Sequence, residues 1–196
     1  MRAAQQARAQ AVRQRRPRPE PWHAGPRESE LRFSLRRLLV TRVSGRVGHW
    51  RASCVVDLDQ PGRSSIDVVI DAASITTGDA ARDAYARSAE FLDVARFPEI
   101  RFRSREVRPQ PGGRRLKIVG DLTIRDVTRE VAVIVDDKGA ASLRSRSPRL
   151  VFTGRASISR HDFGLRWYHE RDQRAGVIAG DAVDVELDLS VRRGLK

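Results

Sequence analysis

The sequence predicts an all-β protein, an antiparallel barrel of about eight strands with one short helical insertion. Three observations lead to this prediction. Apolar and polar residues alternate along most of the 196 residues, turn-forming residues separate the alternating stretches, and one interval changes to helical spacing. Alternation with a period of two places one face of each strand in a core and the other in water. An up-and-down barrel is the arrangement we favour, because a sheet closed in this way has no exposed edge strand.

The first third of the chain contains three alternating stretches. Gly45 and Gly48 indicate a turn or bulge before the second stretch, and residues 59–62 indicate a turn before the third. The positions that share the predicted inner face are Leu31, Phe33, Leu35, Trp50, Ala52, Cys54, Val56, Leu58, Ile66, Val68 and Ile70.

The spacing becomes helical between Thr77 and Asp93. Residues 80–92 predict one short helix or two turns, and Pro98 ends this interval. Asp79 and Asp83 form a candidate carboxylate pair, but capping of the helix and solvation at the surface are the interpretations we favour for them.

Five further alternating stretches complete the predicted barrel. They follow one another without an internal sequence repeat, and the last one alternates most regularly. Their inner faces are predicted to carry Ile100, Phe102 and Ser104; Leu116, Ile118, Gly120, Leu122 and Ile124; Val131, Val133 and Val135; Leu150, Phe152, Gly154, Ala156 and Ile158; and Val183, Val185, Leu187, Leu189 and Val191.

Charge and composition divide the chain into a tail and a domain. The formal net charge is +13, and residues 1–29 hold seven arginines against two acids. We predict a disordered, Arg-rich tail over residues 1–21 and a barrel domain over residues 22–196. A basic tail favours association with nucleic acid or an anionic membrane surface. A single cysteine and the lack of an apolar signal region favour a cytoplasmic location.

Motifs for catalysis or cofactor binding are missing from the sequence. It contains no Gly-x-Ser-x-Gly elbow and no Gly-rich phosphate loop, and the four histidines form no HxH or HxxxH pair. His161 and His169, with Asp162, Glu170 and Asp172, could hold a metal, but solvated loop groups are the interpretation we favour for these residues. We therefore predict no catalytic residue, no cofactor and no metal, and a protein that is not an enzyme.

Aromatic residues recur on the predicted strand faces and at loop edges. They either fill the barrel as core or line an elongated apolar cavity, and periodicity does not separate the two. Three arginines near strand ends, Arg160, Arg166 and Arg171, are candidates for contact with an anionic head group, since guanidinium groups fit phosphate geometry. Ordinary surface charge is the alternative for each of them.

Several segments together resemble the YceI-like family of polyisoprenoid-binding, lipocalin-like proteins. Residues 91–104 are similar to a Phe-Phe-Asp-Val segment followed by Pro-x-Ile-x-Phe-x-Ser, and residues 120–131 to a Gly-x-Leu-Thr-Ile segment ending in Val-Thr-Arg-x-Val. Further similarity lies in residues 66–83, 158–165 and 180–183. The order and spacing of these segments are similar to those of the family from Trp22 to Val191.

The resemblance implies a lipocalin-like barrel whose apolar tunnel binds, stores or transports a polyprenyl chain, a quinone or a fatty-acid-like lipid. Tail-mediated binding to nucleic acid or an anionic membrane is the alternative function, and pairing of two barrels as a homodimer is left open. The candidate cavity residues are Phe33, Leu35, Trp50, Ile66, Val68, Phe91, Phe97, Ile100, Phe102, Leu122, Ile124, Phe152, Ile158, Phe163 and Trp167.

Overall fold

The computed structural model describes residues 21–37, 41–57, 59–140, 149–166 and 179–193. In these ranges eleven strands form one antiparallel sheet, with one α-helix and three short 3-10 turns. The strands are β1 Pro21–Ala24, β2 Glu30–Arg37, β3 Thr41–Val47, β4 Trp50–Val55, β5 Ser65–Asp71, β6 Ile75–Thr76, β7 Glu99–Pro109, β8 Arg115–Ile124, β9 Val127–Ala140, β10 Arg149–Ser159 and β11 Ala179–Arg193. The helix α1 is Ala80–Arg87, and the 3-10 turns are Pro61–Arg63, Ala72–Ser74 and His161–Phe163.

The sheet closes on itself because β11 pairs with strands from both ends of the chain. One edge of β11 pairs with β10, and the other edge pairs with β2 and then with β1. β1 and β2 follow one another along one side of β11, so together they act as a single interrupted strand. β4 pairs with β1 and β3 pairs with β2, so β3 and β4 act as a second interrupted strand. Eight strands therefore surround the interior, and the predicted antiparallel barrel with one short helix is confirmed.

Polar contacts stabilise the closing seam from outside. Ser29, between β1 and β2, accepts a hydrogen bond from Ser190 N at 2.9 Å and donates one to the carbonyl of the same residue at 3.3 Å. Glu28 forms ion pairs with Arg149 and Arg192, and Arg32 Nη2 donates to Asp188 Oδ2 at 2.5 Å. These contacts join β2 and the connection before it to β10 and β11.

The region before Trp50 differs from the prediction. Gly45 was expected in a turn or bulge, but it lies inside strand β3 and pairs with Phe33 of β2. A Cβ on Gly45 would lie 2.3 Å from Phe33 Cζ and 2.5 Å from the carbonyl oxygen of Thr76. Glycine is therefore required here by close packing rather than by a turn. Pro21, which the sequence assigned to the tail, pairs with Val55 in the barrel.

One irregularity changes which side of a strand faces inward. The register between β7 and β8 shifts between Ser104 and Glu106, as it does at a β-bulge. Even-numbered residues such as Ile100 and Phe102 face the interior before the shift, and Val107 faces it afterwards. The alternation read from the sequence therefore changes phase within a single strand.

Helix α1 covers one end of the barrel. It begins after Asp79, whose side chain accepts hydrogen bonds from the backbone N–H groups of Ala81 and Arg82, each at 3.0 Å. This confirms the capping role predicted for Asp79. Within the described ranges, no helix has the length and apolar character needed to cross a bilayer.

Replacing Gly120 with alanine should destabilise the barrel. A Cβ there would lie 2.4 Å from the carbonyl oxygen of Arg103 and 2.7 Å from Phe102 Cζ, so backbone as well as side chain must move. We expect G120A to lower the free energy of unfolding by about 1–3 kcal/mol, measured by urea denaturation. G25A is the matched control, because its nearest atom would be Trp50 O at an ordinary 3.5 Å. Equal unfolding midpoints for the two variants would contradict this packing.

Candidate functional site

The barrel interior contains a cavity of about 420 Å³. Its wall is built from the inner faces of the strands. The alternation of apolar and polar residues that gives each strand a buried face therefore also provides the apolar lining. Valine, leucine and isoleucine predominate, and β11 alone contributes Val183, Val185, Leu187, Leu189 and Val191. The volume lies within the range of about 300–1,000 Å³ that is typical of ligand pockets.

Most of the candidate cavity residues lie on this wall. The structure places twelve of the fifteen there: Phe33, Leu35, Trp50, Ile66, Val68, Phe91, Ile100, Phe102, Leu122, Ile124, Phe152 and Ile158. Their contact with a ligand stays a prediction.

Two candidate cavity residues lie elsewhere, which corrects the prediction for them. Phe163 is only 2% exposed and packs among buried residues that include Leu92 and Leu165, so it supports the wall from behind. Phe97 is half-buried, and the guanidinium groups of Arg96 and Arg125 lie over its ring at 5.2 and 5.7 Å. Both residues belong to segments that connect strands, where the alternation found in strands does not predict which way a side chain points. Trp167 lies outside the described residues.

The three candidate head-group arginines have different placements. Arg160 is buried on the cavity wall, where Nε donates to Gly180 O at 3.0 Å and Nη1 donates to Leu165 O at 2.9 Å. It therefore ties the loop after β10 to the beginning of β11. Arg166 is exposed and away from the wall, and Arg171 lies outside the described residues. Contact of these arginines with a head group stays a prediction.

Sequence reasoning missed some of the wall. Val43 and Val47 of β3 line the cavity, and their alternation with Arg42, Ser44 and Arg46 was the available signal. Gly45 obscured it because it was interpreted as a turn. Arg82 of α1 was also missed, since a helix covering a barrel mouth leaves no period-two signal.

Charged wall residues lie only toward the two ends of the cavity, as far as the described residues show. We call the end next to α1 the helix end, and it carries Arg82 and Arg160. The opposite end, which we call the far end, lies by the β7–β8 turn and carries Asp57, Arg114 and Asp137. The middle of the cavity is therefore apolar and its two ends differ in charge.

Asp83 fixes α1 over the helix end. It is 6% exposed, which corrects the prediction that it is solvated at the surface. Its carboxylate accepts hydrogen bonds from Thr76 Oγ1 at 2.5 Å and from the N–H and Oγ1 of Thr77, both at 2.7 Å. Burial acts to raise the pKa of Asp83, but these hydrogen bonds, with Arg87, lower it below its ordinary value.

Cys54 is a buried thiol on the cavity wall. Burial, reinforced by the negative charge of Asp67, raises the pKa of Cys54 from 9.0 to about 11. A reactive cysteine needs a lowered pKa, because the thiolate is the nucleophile. Cys54 therefore serves as a small apolar wall residue at neutral pH.

The polar loop after β10 forms an exposed contact between His161 and Asp181. His161 Nδ1 lies 3.2 Å from Asp181 Oδ1, and both side chains are about half exposed. In the described part of the chain, no three His, Cys, Asp or Glu side chains are grouped closely enough to hold a metal ion. Of the other residues of the metal site considered above, Asp162 is exposed, and His169, Glu170 and Asp172 lie outside the described residues.

Comparison with known sequences assigns the domain. The profile of the YceI-like domain matches residues 22–191. A protein named UPF0312 from Pseudomonas savastanoi pv. phaseolicola is 30% identical over 134 residues, which are 68% of this chain and 69% of the relative. Protein YceI from Salmonella newport is 30% identical over 135 residues, which are 69% and 70% of the two chains.

Solved structures share the fold. BcnA from Burkholderia cenocepacia has a TM-score of 0.69 at 22% identity, covering 83% of this chain and 95% of its own. A polyisoprenoid binding domain from Saccharophagus degradans, implicated in plant cell wall breakdown, has a TM-score of 0.66 at 14% identity, covering 88% and 98%. At these identities the likeness shows the fold.

The anchoring of α1 by Asp83 predicts a specific pH dependence. Because the folded pKa lies below the unfolded value of about 3.9, the stabilisation is present above that value and is lost as pH falls through the folded pKa. We expect D83N to lower the free energy of unfolding by about 1–3 kcal/mol at neutral pH, and the difference from wild type to narrow below about pH 4. Urea denaturation across a pH series measures both effects.

The exposed residue Asp59 provides the control. D59N should have the same free energy of unfolding as wild type at every pH. A D83N deficit that stays constant from pH 7 to about pH 3 would refute the role of the Asp83 charge.

Proposed function

The chain belongs to the family of YceI-like domains, and from this premise we propose that its barrel binds a polyisoprenoid or related long-chain lipid for storage or transport. Prenyl quinones and fatty-acid-like molecules fall within the proposed ligand class. The proposal treats the protein as a binder, without a catalytic step.

The observation that carries the proposal is the apolar cavity inside a closed barrel. A flexible hydrocarbon chain fits such a site, because each strand from β2 to β11 contributes apolar side chains and charge on the described wall is confined to the ends. Removing apolar surface from water stabilises a complex by about 25 cal/mol per Å². A few hundred Å² of buried chain therefore provides several kcal/mol to set against the loss of ligand freedom.

The polar groups on and next to the wall favour binding over catalysis. Cys54 stays protonated, the carboxylate of Asp83 is engaged by two threonines, and Arg160 donates to backbone carbonyls. Each of these groups has a structural role. The polyisoprenoid-binding character of the Saccharophagus degradans domain adds support from a protein of the same fold.

Residues 1–20 lie outside the described residues. Binding of the Arg-rich tail to nucleic acid or an anionic membrane therefore stays a prediction. The cytoplasmic location and the pairing of two barrels stay predictions as well.

Filling the cavity should abolish lipid binding. Ala156 lies on the wall and pairs with Val185 of β11, so a phenylalanine there would occupy space that the lipid needs. We expect A156F to weaken binding of geranylgeraniol by about tenfold or more, measured by native mass spectrometry.

Ala132 allows the same substitution on the outer face. It is exposed on β9, between the wall residues Val131 and Val133. A132F should bind the lipid like wild type, and thermal melts should show that both variants are folded. Undiminished binding of geranylgeraniol by folded A156F would overturn the proposal, as would a wild-type protein that binds neither this alcohol nor an anionic lipid with the same chain.

A further inference from the structure

Arg82 differs from the other arginine at the helix end of the cavity. The guanidinium of Arg160 donates to two main-chain carbonyls and is thereby part of the fold. Arg82 also lies on the wall, and its side chain is 24% exposed. Its Nε is shielded from solvent and has no hydrogen-bond partner among the described residues.

The nearest carboxylate only partly compensates this charge. Asp79 Oδ2 lies 3.7 Å from Arg82 Nη2, which is longer than a hydrogen bond, and Asp79 already accepts two hydrogen bonds as the cap of α1. Asp83, the next residue in the chain, directs its carboxylate to Thr76 and Thr77. A shielded guanidinium N–H without an acceptor is unfavourable, and an acceptor bound beside it would relieve this cost.

The position of Arg82 is fixed by the structure around it. It lies in the first turn of α1, between the capping residue Asp79 and the anchored residue Asp83. A binding group held on a rigid element can hold its partner in a defined place. Guanidinium groups pair with phosphate and carboxylate in fork-like geometry, and such charge-assisted hydrogen bonds are strong.

On the basis of the proposed function, we propose that Arg82 binds the anionic head group, a phosphate or a carboxylate, of the lipid in the cavity. The head then lies at the helix end and the hydrocarbon chain extends toward the far end. The far end carries two carboxylates, Asp57 and Asp137, against one guanidinium, Arg114, whereas the described wall of the helix end carries Arg82 and Arg160 and no carboxylate. The charge difference between the two ends therefore sets the orientation of the lipid.

The test compares lipids that share one chain and differ in the head group. Wild-type protein should bind geranylgeranyl phosphate or geranylgeranoic acid about tenfold or more tightly than geranylgeraniol, measured by isothermal titration calorimetry. R82Q should lose this preference while keeping its affinity for the alcohol, and R82K should retain part of it. Inorganic phosphate should compete only weakly, because it lacks the chain.

Arg87 provides the matched control on the same helix. It donates to Ala73 O at 3.0 Å and lies off the cavity wall, so R87Q should keep the full preference for the anionic lipid. Equal binding of the alcohol and both anionic lipids by wild type would overturn the role of Arg82, as would a preference that survives in R82Q. Failure of all three lipids to bind would instead overturn the proposed function on which this role rests.

Discussion

The pairing of β11 with β1 and β2 is the constraint on which the rest of the structure depends. Without it, the two outer strands would expose unpaired backbone groups, and the inner side chains would face water. With it, each strand of the barrel has neighbours on both sides and the interior is enclosed. The seam joins residues separated by about 160 positions in sequence, as in the contact of Ser29 with Ser190. The enclosed cavity follows from this closure.

An eight-stranded barrel encloses an interior that its own side chains can fill or that can hold one small ligand. Here the inner faces of β9 and β11 are dominated by valine and leucine, and these leave the space unfilled. The larger rings of Phe33 and Phe102 pack across Gly45 and Gly120, respectively, on neighbouring strands. These two rings therefore lie partly against the wall instead of filling the centre, and a lumen remains along the barrel.

The sequence predicts the barrel and most of its wall because alternation reports directly on which face of a strand is buried. Phe97 and Phe163 were placed wrongly because they lie in connections, where that periodicity does not apply. Strand β3 was missed because Gly45 indicates a turn locally, whereas its actual role depends on Phe33 of another strand. The anchoring contacts of Asp83 could not be predicted either, since they depend on Thr76 and Thr77 rather than on the helix pattern. The place of Arg82 on the wall likewise depends on how α1 lies over the cavity.

A crystal structure of the protein saturated with a geranylgeranyl lipid decides whether the lumen is a lipid-binding site. Continuous chain-shaped electron density is expected inside the barrel, running from Arg82 at the helix end toward Asp137 at the far end. Lipid density confined to the outer surface, or a lumen collapsed onto its own side chains, would show that the lumen does not bind lipid.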